Sequence, residues 1–352
     1  MTRIRQLIDK LEKNTSLSQE EYTQLIREIQ KPDMEYLMEK AEKIRQKYYG
    51  RDIYVRGLIE FTNICKNNCY YCGIRSSNRN CERYRLTKKE ILECCEKGWT
   101  LGYRTFVLQG GEDPAFTPEE MADIVKSIKS FHPECAVTLS FGEYPFEVYK
   151  LWKEAGADRY LLRHETANKK HYETLHPVEM SFDNRMRCLY DLKALGYQVG
   201  CGFMVGSPNQ TPEDLAQDMC FIKGFKPDMV GVGPFIPHKD TPFKDMKAGT
   251  LEQTLIMLAL IRLSLPEVLL PATTALGTID PLGRELGIRA GANVCIPNLS
   301  PESVRNKYTL YDNKLCTGDE AAEYLKSLSN RMNKIGYNII SARGDRYGFK
   351  RL

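Results

Sequence analysis

One stretch of the chain reads Ile64-Cys65-Lys66-Asn67-Asn68-Cys69-Tyr70-Tyr71-Cys72-Gly73, and it follows the apolar run Ile53 to Phe61. The apolar run predicts a buried strand, which puts the three cysteines, at C-x3-C-x2-C spacing, on the loop that leaves this strand. An iron–sulfur cube normally takes four thiolate ligands. Three cysteines on one short loop therefore predict a cube with one iron that lacks a protein ligand and is open to a small molecule.

Zinc is the alternative for these cysteines, and it would need a fourth ligand to close a tetrahedron. Cys81 lies eight intervening residues beyond Cys72 and is the candidate for that ligand. Zinc motifs more often use paired C-x2-C units, which favours the iron–sulfur interpretation. A colourless, zinc-containing protein after anaerobic purification would exclude the cluster.

From residue 51 onwards a short β-rich run followed by a helical stretch repeats eight times. Glycines end several of the helical stretches, which is how a helix commonly returns to the next parallel strand. Eight β/α units without a break in composition predict an α/β fold, a (βα)8 TIM-type barrel rather than two domains. The expected strands are Ile53–Phe61, Thr105–Leu108, Ala136–Ser140, Arg159–Leu162, Gln198–Met204, Met229–Val232, Leu269–Ala272 and Asn293–Ile296. The expected helices lie near 87–102, 118–131, 145–155, 168–174, 181–195, 211–224, 250–264 and 281–288.

Three segments are expected along the chain. Residues 1–50 carry apolar residues at helical spacing and predict an N-terminal helical cap, with Ser18 and Glu21 as the capping box of one helix. Residues 51–300 form the barrel. Residues 301–352 are expected to pack on it as a C-terminal extension, with a final helix over 318–335 and a basic, peripheral tail from Arg343.

Composition and charge exclude several classes of protein. The 352 residues are 42% hydrophobic, which is enough for a large core. Lys and Arg number 50 against 46 Asp and Glu, a surplus too small to favour nucleic acid or an acidic membrane as a partner. Twelve scattered cysteines predict a reducing compartment. Because no signal segment or long apolar run is present, a soluble cytoplasmic protein is expected.

The cysteine loop, with Tyr71 just before its third cysteine, resembles the cluster loop of the radical S-adenosylmethionine (radical SAM) superfamily. The resemblance implies that Cys65, Cys69 and Cys72 ligate a [4Fe–4S] cluster and that Tyr71 contacts the cofactor. The open iron is then expected to bind the amino and carboxylate groups of S-adenosylmethionine (SAM). Reduction of such a cluster cleaves SAM to methionine and a 5′-deoxyadenosyl radical.

Further SAM contacts are expected where the strands end, because the C-terminal face of a βα barrel carries its active site. Gly110 and Gly111 let a backbone group approach a bound molecule, and with Glu112 they resemble the superfamily stretch that contacts the methionyl amino group. Glu165, after strand four, can accept from the ribose hydroxyls. Arg185 can pair with the methionyl carboxylate. A surface position on its helix is the alternative for Arg185.

Three residues point to a second ligand. Arg163 ends strand four and is expected to face the barrel interior, where an unpaired guanidinium is costly and requires an acidic neighbour or an anionic substrate. Thr273 and Thr274 offer hydroxyls after strand seven, and a plain turn is the alternative for them.

Longer motifs make the resemblance closer, to the radical SAM maturases of [FeFe]-hydrogenase, over about residues 20 to 315. The motifs are Phe61-Thr62-Asn63, Leu108–Pro114, Leu162–Asn168, Val230–His238 and Pro271–Thr278. This resemblance implies a role in assembling the diiron subcluster of the hydrogenase, on an iron species bearing cysteine, carbonyl and cyanide. It implies that Glu165 and Arg185 hold SAM. The residues it implies for the substrate are Arg163, Thr273, Thr274 and Tyr308.

The same resemblance implies other hydrogenase maturases as partners, one of which delivers the organometallic iron substrate. It also implies a reductant such as ferredoxin or flavodoxin. The sequence departs from the family pattern at Lys314–Asp319, where some relatives hold a second cluster with three cysteines and this chain has only Cys316. One thiolate cannot hold a cluster by itself.

Other functions stay open from the sequence. A methylornithine-synthase-like mutase would act on lysine, and a biotin-synthase-like sulfur donor would carry a sacrificial second cluster inside the barrel. A non-catalytic carrier of an iron fragment would have a vestigial SAM site, against which Glu112, Glu165 and Arg185 count. Release of methionine and 5′-deoxyadenosine on reduction distinguishes an enzyme from a carrier.

Overall fold

The computed structural model describes residues 2–315 and 321–350. Cys316 and the predicted start of the final helix at residue 318 lie outside these residues. The described helices are α1 Arg3–Asn14, α2 Gln19–Glu28, α3 Lys31–Tyr49, α4 Lys88–Thr100, α5 Pro118–Phe131, α6 Phe146–Glu154, α7 Lys169–Leu175, α8 Phe182–Ala194, α9 Pro212–Phe225, α10 Leu251–Ser264, α11 Thr274–Ile279, α12 Gly283–Arg289, α13 Glu302–Arg305 and α14 Ala321–Lys334. The described strands are β1 Asp52–Val55, β2 Gly57–Thr62, β3 Thr105–Gly110, β4 Ala136–Ser140, β5 Arg159–Leu161, β6 Gln198–Cys201, β7 Met204–Val205, β8 Met229–Val230, β9 Gly233–Pro234, β10 Val294–Cys295 and β11 Asn338–Ile340.

The helices before residue 50 pack on the outer helices of the molecule. The capping box predicted for α2 is confirmed, because the Ser18 hydroxyl accepts from the Glu21 N–H and the Glu21 carboxylate accepts from the Ser18 N–H. The apolar face of α1 is buried. Helix α2 packs against α9, and α3 packs against α10.

A parallel sheet forms the centre of the fold, with strand order β2-β3-β4-β5-β6-β8. Single parallel bridges continue it, from Met229 to Leu269, from Pro271 to Val294, and from Asn298 to Leu58 in β2. The parallel α/β fold is thereby confirmed. The complete eight-stranded barrel stays a prediction, because isolated bridges rather than strands continue the sheet beyond β8.

Three predicted strands are divided or absent in the structure, and the sixth and eighth are shortened to β8 and β10. The first is divided at Arg56, because β1 pairs with β10 and β11 whereas β2 pairs with β3. The fifth is divided between β6 and β7 beside Gly202, where a Cβ atom would lie only 2.0 Å from the Gly231 carbonyl oxygen, so the two backbones are in close contact. The seventh, Leu269–Ala272, forms single bridges and no strand.

The prediction that the tail is peripheral is wrong. Strand β11 pairs in parallel with β1, and the residues after it lie across the N-terminal ends of the strands. Arg343 pairs with Asp158, which precedes β5, and Arg346 Nε lies 2.9 Å from Asp228 Oδ1, which precedes β8. The tail therefore supplies the positive charge that two carboxylates at the base of the sheet require.

Helix α10 is buried on all sides from Thr254 to Ser264, since it lies between α3 and the short strands β7 and β9. Its 14 residues are too few to cross a bilayer. Within residues 2–315 and 321–350, no helix is long and apolar enough to span a membrane.

Candidate cluster and cofactor site

The ends of the parallel strands surround a cavity of about 360 Å³. All the site residues predicted from the sequence line it: Cys65, Cys69, Tyr71, Cys72, Gly110, Gly111, Glu112, Arg163, Glu165, Arg185, Thr273, Thr274 and Tyr308. Residues that are far apart in the sequence thus meet at one face of the sheet, as the C-terminal ends of parallel strands do.

Two polar side chains, those of Asn63 and Arg83, hold the cysteine loop in place through hydrogen bonds to backbone carbonyls. Asn63 donates to the carbonyl oxygens of Glu82, at 2.8 Å, and Lys307, at 2.7 Å. The Arg83 guanidinium donates to four carbonyls of the loop and its flanks, those of Asn63, Ile74, Arg75 and Asn78. The sequence analysis did not single out Arg83, and no local pattern marks it, because its partners are backbone groups.

All three loop cysteines line the cavity. Burial and the nearby Cys72 and Cys65 raise the pKa of the Cys69 thiol, and burial and Cys65 raise the pKa of Cys72 to about 12. Three thiolates in one buried space therefore require a strongly positive partner, and a metal centre supplies that charge. Gly111 keeps the space open, since a Cβ atom there would lie 2.7 Å from the Cys65 Cβ. The residues fit a [4Fe–4S] cluster.

The ligands of the alternative zinc site are not brought together. Cys81 lines a separate surface pocket with His238 and Asp312. In the part of the chain that the structure describes, no three His, Cys, Asp or Glu side chains are grouped to hold a single ion. A cube of irons and sulfides is wider than one ion, and its thiolates stand correspondingly further apart.

Glu112 directly follows Gly110 and Gly111. It is buried, and burial raises the pKa of its carboxyl. Its Oε1 accepts from the Glu143 N–H at 3.0 Å, and its Oε2 lies 3.2 Å from Lys66 Nζ. Gly142 has a φ of +111°, and a Cβ atom there would lie 2.1 Å from Glu112 Oε1. Gly142 is therefore required for the position of this carboxylate.

Arg185 is buried, which excludes the surface alternative for it. Its Nε donates to Glu143 Oε1 at 2.6 Å, and its Nη1 donates to the Arg163 carbonyl at 2.8 Å. Glu143 was not among the site residues predicted from the sequence. Its position directly after β4, beside Gly142, is the same signal that marked the clusters after the neighbouring strands.

Glu165 and Arg163 contact each other but leave polar atoms unsatisfied. Glu165 has a φ of +67°, a strained conformation for a residue other than glycine, which persists only where the surrounding structure holds it. Its Oε2 lies 2.9 Å from Arg163 Nη2. Nevertheless Glu165 Oε2, Arg163 Nε and Arg163 Nη2 are buried without an aligned hydrogen bond to any residue of the described chain. These atoms have the polarity to bind hydroxyls and an anion.

Thr273 and Thr274 differ in whether their hydroxyls have a hydrogen-bond partner. Thr274 Oγ1 accepts from Arg284 Nη2 at 3.3 Å. Thr273 precedes α11 as its N-cap residue, yet its hydroxyl makes no capping bond and is buried without a partner among the described residues. The Thr273 hydroxyl therefore remains available to a ligand in the cavity.

One wall of the cavity comes from the segment after α13, through Tyr308, Leu310 and Tyr311. Burial raises the pKa of Tyr308, whose hydroxyl lies 3.5 Å from Gln109 Nε2. Lys314 Nζ lies 4.7 Å from the centre of the Tyr308 ring and pairs with the buried Glu60 in β2. The contacts of Lys314 with Tyr308 and Glu60 were not predicted from the sequence.

The Radical SAM superfamily model matches residues 59–222, which contain the cysteine loop and the strands that frame the cavity. Together with the three grouped cysteines, this match defines the chain as a radical SAM enzyme. The chain is also 49% identical over 302 residues to the [FeFe] hydrogenase maturase subunit HydE of Thermotoga maritima, covering 86% of each sequence. It belongs to the HydE family of [FeFe]-hydrogenase maturases, whose members use a [4Fe–4S] cluster and SAM.

A second group of relatives is more distant. The chain is 29% identical to the 3-methylornithine synthase of Methanosarcina acetivorans, covering 93% of this chain and 92% of that one. The crystal structure of methylornithine synthase (PylB) is similar to this fold with a TM-score of 0.83 and 28% identity, over 95% of this chain and 97% of that one.

Proposed function

We propose that this enzyme cleaves SAM in the assembly of the diiron subcluster of [FeFe]-hydrogenase, acting on an iron precursor that bears cysteine, carbonyl and cyanide. Cys65, Cys69 and Cys72 hold the [4Fe–4S] cluster in this proposal. The reduced cluster supplies the electron that converts SAM to methionine and a 5′-deoxyadenosyl radical. The identity to HydE of Thermotoga maritima supports this assignment.

The SAM contacts follow from the polar atoms around the cysteine loop. Glu165 Oε2, which lies 2.9 Å from Arg163 Nη2 but has no aligned hydrogen bond, accepts from a ribose hydroxyl. Arg185 uses its Nε and Nη1 on Glu143 and on a backbone carbonyl, so Nη2 is the donor left for the methionyl carboxylate. The backbone at Gly110 and Gly111, next to Glu112, accepts from the methionyl amino group. Tyr71 also lines the cavity.

The observation that carries the substrate part of the proposal is that Arg163 Nε and the Thr273 hydroxyl are buried without a hydrogen-bond partner among the described residues. The Arg163 side chain is 34% exposed and pairs with Glu165. Its fork of N–H groups also suits cyanide nitrogen and carboxylate oxygen. Thr274 and Tyr308 complete the substrate contacts. Residues of several elements line the cavity around the site, and such a lining limits the side reactions of a reactive carbon radical.

The proposal includes a complete (βα)8 barrel over residues 51–300, capped by residues 1–50 and extended by 301–352, and the single bridges beyond β8 support this closure. It also includes other hydrogenase maturases and a ferredoxin or flavodoxin as partners. The reaction is placed in the cytoplasm, where thiols stay reduced.

Substituting Arg163 tests the substrate role. Arg163→Leu removes a charged donor worth about 1.5–3 kcal/mol, roughly tenfold to a hundredfold in substrate affinity. The variant should keep its cluster. Because Arg163 pairs with Glu165, a proposed SAM contact, methionine release from SAM is measured alongside, and it should fall much less than the activation of an apo-hydrogenase in an assembly assay with the other maturases. Arg187→Leu is the matched control, because Arg187 is a solvent-exposed arginine on α8 that pairs with Asp191. Full activation by Arg163→Leu would refute the substrate role.

A lysine mutase of the methylornithine synthase type is the second candidate, since that structure is similar over nearly the whole chain. Arg163 would then bind the carboxylate of lysine. The two candidates are separated by incubating wild-type enzyme, SAM and reductant with lysine. Formation of methylornithine would favour the mutase, whereas hydrogenase activation without methylornithine supports the maturase.

A further inference from the structure

Tyr71, between the second and third cysteines, is held by a short chain of hydrogen bonds that leads away from the cavity. Its hydroxyl lies 3.1 Å from His176 Nε2. On the opposite side of the imidazole, His176 Nδ1 lies 2.9 Å from the backbone carbonyl oxygen of Tyr172. The His176 ring also stacks on the Tyr172 ring, with centroids 3.9 Å apart, and His176 is buried.

The direction of each bond follows from the chemistry of its partners. A carbonyl oxygen only accepts, so His176 Nδ1 carries a hydrogen and donates to Tyr172. In a neutral imidazole the other nitrogen then has a lone pair, so the Tyr71 hydroxyl donates to His176 Nε2. Burial, together with the nearby positive charge of Arg185, lowers the pKa of His176 to about 3, which keeps the ring neutral.

The same end of α7 holds the loop at the preceding residue as well. The Tyr70 N–H donates to the Leu175 carbonyl oxygen at 3.0 Å. The cysteine loop is thus attached to α7 at two consecutive residues, one through the backbone and one through the Tyr71 side chain. The cysteines themselves are held by other groups, since Gly73 N–H donates to the Leu310 carbonyl and Arg83 spans the loop from behind.

We infer that His176 is a positioning residue for SAM, because its hydrogen bond fixes the orientation of the Tyr71 ring on the cofactor side of the cavity. The inference rests on the proposed function, in which Tyr71 contacts SAM. Two rotatable bonds let a tyrosine ring swing when its hydroxyl is released, whereas the backbone of the loop stays anchored. Loss of the His176 bond should therefore weaken SAM binding without removing the cluster.

The experiment compares His176→Leu, Tyr71→Phe and the double variant with wild type, all reconstituted anaerobically. The measurements are iron per chain, the EPR spectrum of the reduced cluster with and without SAM, and KM and kcat for 5′-deoxyadenosine release. Each single substitution should raise KM for SAM roughly two- to tenfold, the value of one net hydrogen bond, with four irons kept. The double variant should be no worse than either single one, because both remove the same bond.

Two further variants separate positioning from general stability. His176→Gln keeps an amide oxygen that can accept from Tyr71 and should recover most of the SAM affinity. His171→Leu is the matched control on the same helix, since His171 is also buried and bonds to Thr166 and to the Pro208 carbonyl rather than to the cysteine loop. It should leave KM for SAM and the EPR change on SAM addition as in wild type.

If the effects of His176→Leu and Tyr71→Phe on KM for SAM add in the double variant, the inference is overturned. An unchanged KM for SAM in Tyr71→Phe would also overturn it, and that measurement does not depend on whether His176→Leu folds. A wild-type enzyme that holds its cluster but does not cleave SAM would instead overturn the proposed function.

Discussion

Asp345→Ala should destabilise the protein strongly although the residue lies far from the cavity in the fold. Asp345 Oδ1 accepts from Arg159 Nη2 at 2.6 Å and from Gln198 Nε2 at 2.8 Å. Arg159 is 3% exposed, so its guanidinium cannot turn to water when this carboxylate is removed. Removing one partner of a buried ion pair costs about 3–5 kcal/mol, and we expect about 3 because Asp345 keeps 16% of its side chain exposed.

The pH dependence of this contribution follows from the pKa of the carboxyl. Burial alone would raise the pKa of Asp345, but the charge of Arg159 and the hydrogen bonds from Gln198 and Arg159 hold it well below its usual range. The ion pair therefore stabilises the folded state fully above the unfolded pKa of about 3.9 and loses that contribution as pH falls further. Wild type and Asp345→Ala should differ most at neutral pH and should converge below about pH 4.

Urea denaturation, followed by circular dichroism under anaerobic conditions, measures the difference in the free energy of unfolding. Asp183→Ala is the matched control, because Asp183 pairs with Lys169 but its side chain is 70% exposed, and it should change stability by less than about 0.5 kcal/mol. Replacing Arg159 and Asp345 together by leucine should restore part of the loss. An Asp345→Ala protein that unfolds at the wild-type urea concentration would refute this account of the tail.

Two further predictions concern the cavity. Cys69→Ala should leave a folded protein without a normal [4Fe–4S] cluster and without SAM cleavage, because only two loop thiolates remain. Iron content and methionine release measure this. A variant that keeps a full cluster and cleaves SAM would contradict the prediction. Gly142→Ala should lower kcat/KM for SAM cleavage at least about tenfold, because its Cβ displaces the Glu112 carboxylate and costs a charge-assisted hydrogen bond. Gly196→Ala is the control, since it has a similarly positive φ with nothing within 4 Å of the added Cβ, and equal losses in both variants would indicate backbone strain instead.

Features with local signals were predicted well. Helices α4, α5 and α9 begin at capping boxes, with Thr87, Thr117 and Thr211 as the N-caps, and such boxes involve residues only three positions apart. The third predicted strand, Ala136–Ser140, is β4 of the structure with the predicted bounds. The cysteine loop and the glycine pair lie next to strands whose apolar runs are plain in the sequence, and both line the cavity.

Features that depend on distant partners were not predicted. Ile53 pairs with Ile339, and nothing in either segment alone specifies that pairing. Arg83 donates to backbone carbonyls, which every residue offers, so its role has no sequence signature. Likewise Glu143 was missed because its importance comes from Arg185, which another element brings to it.

The position of the C-terminal residues has a consequence for the order of events during synthesis. A ribosome releases the chain from its N-terminus, so all three cluster cysteines emerge long before Tyr308 and Asp345. Until then the cavity lacks one wall, and Arg159 lacks its carboxylate at the base of the sheet. The cavity therefore gains its last wall only after residues 308–311 have been synthesised, well after the cluster ligands themselves.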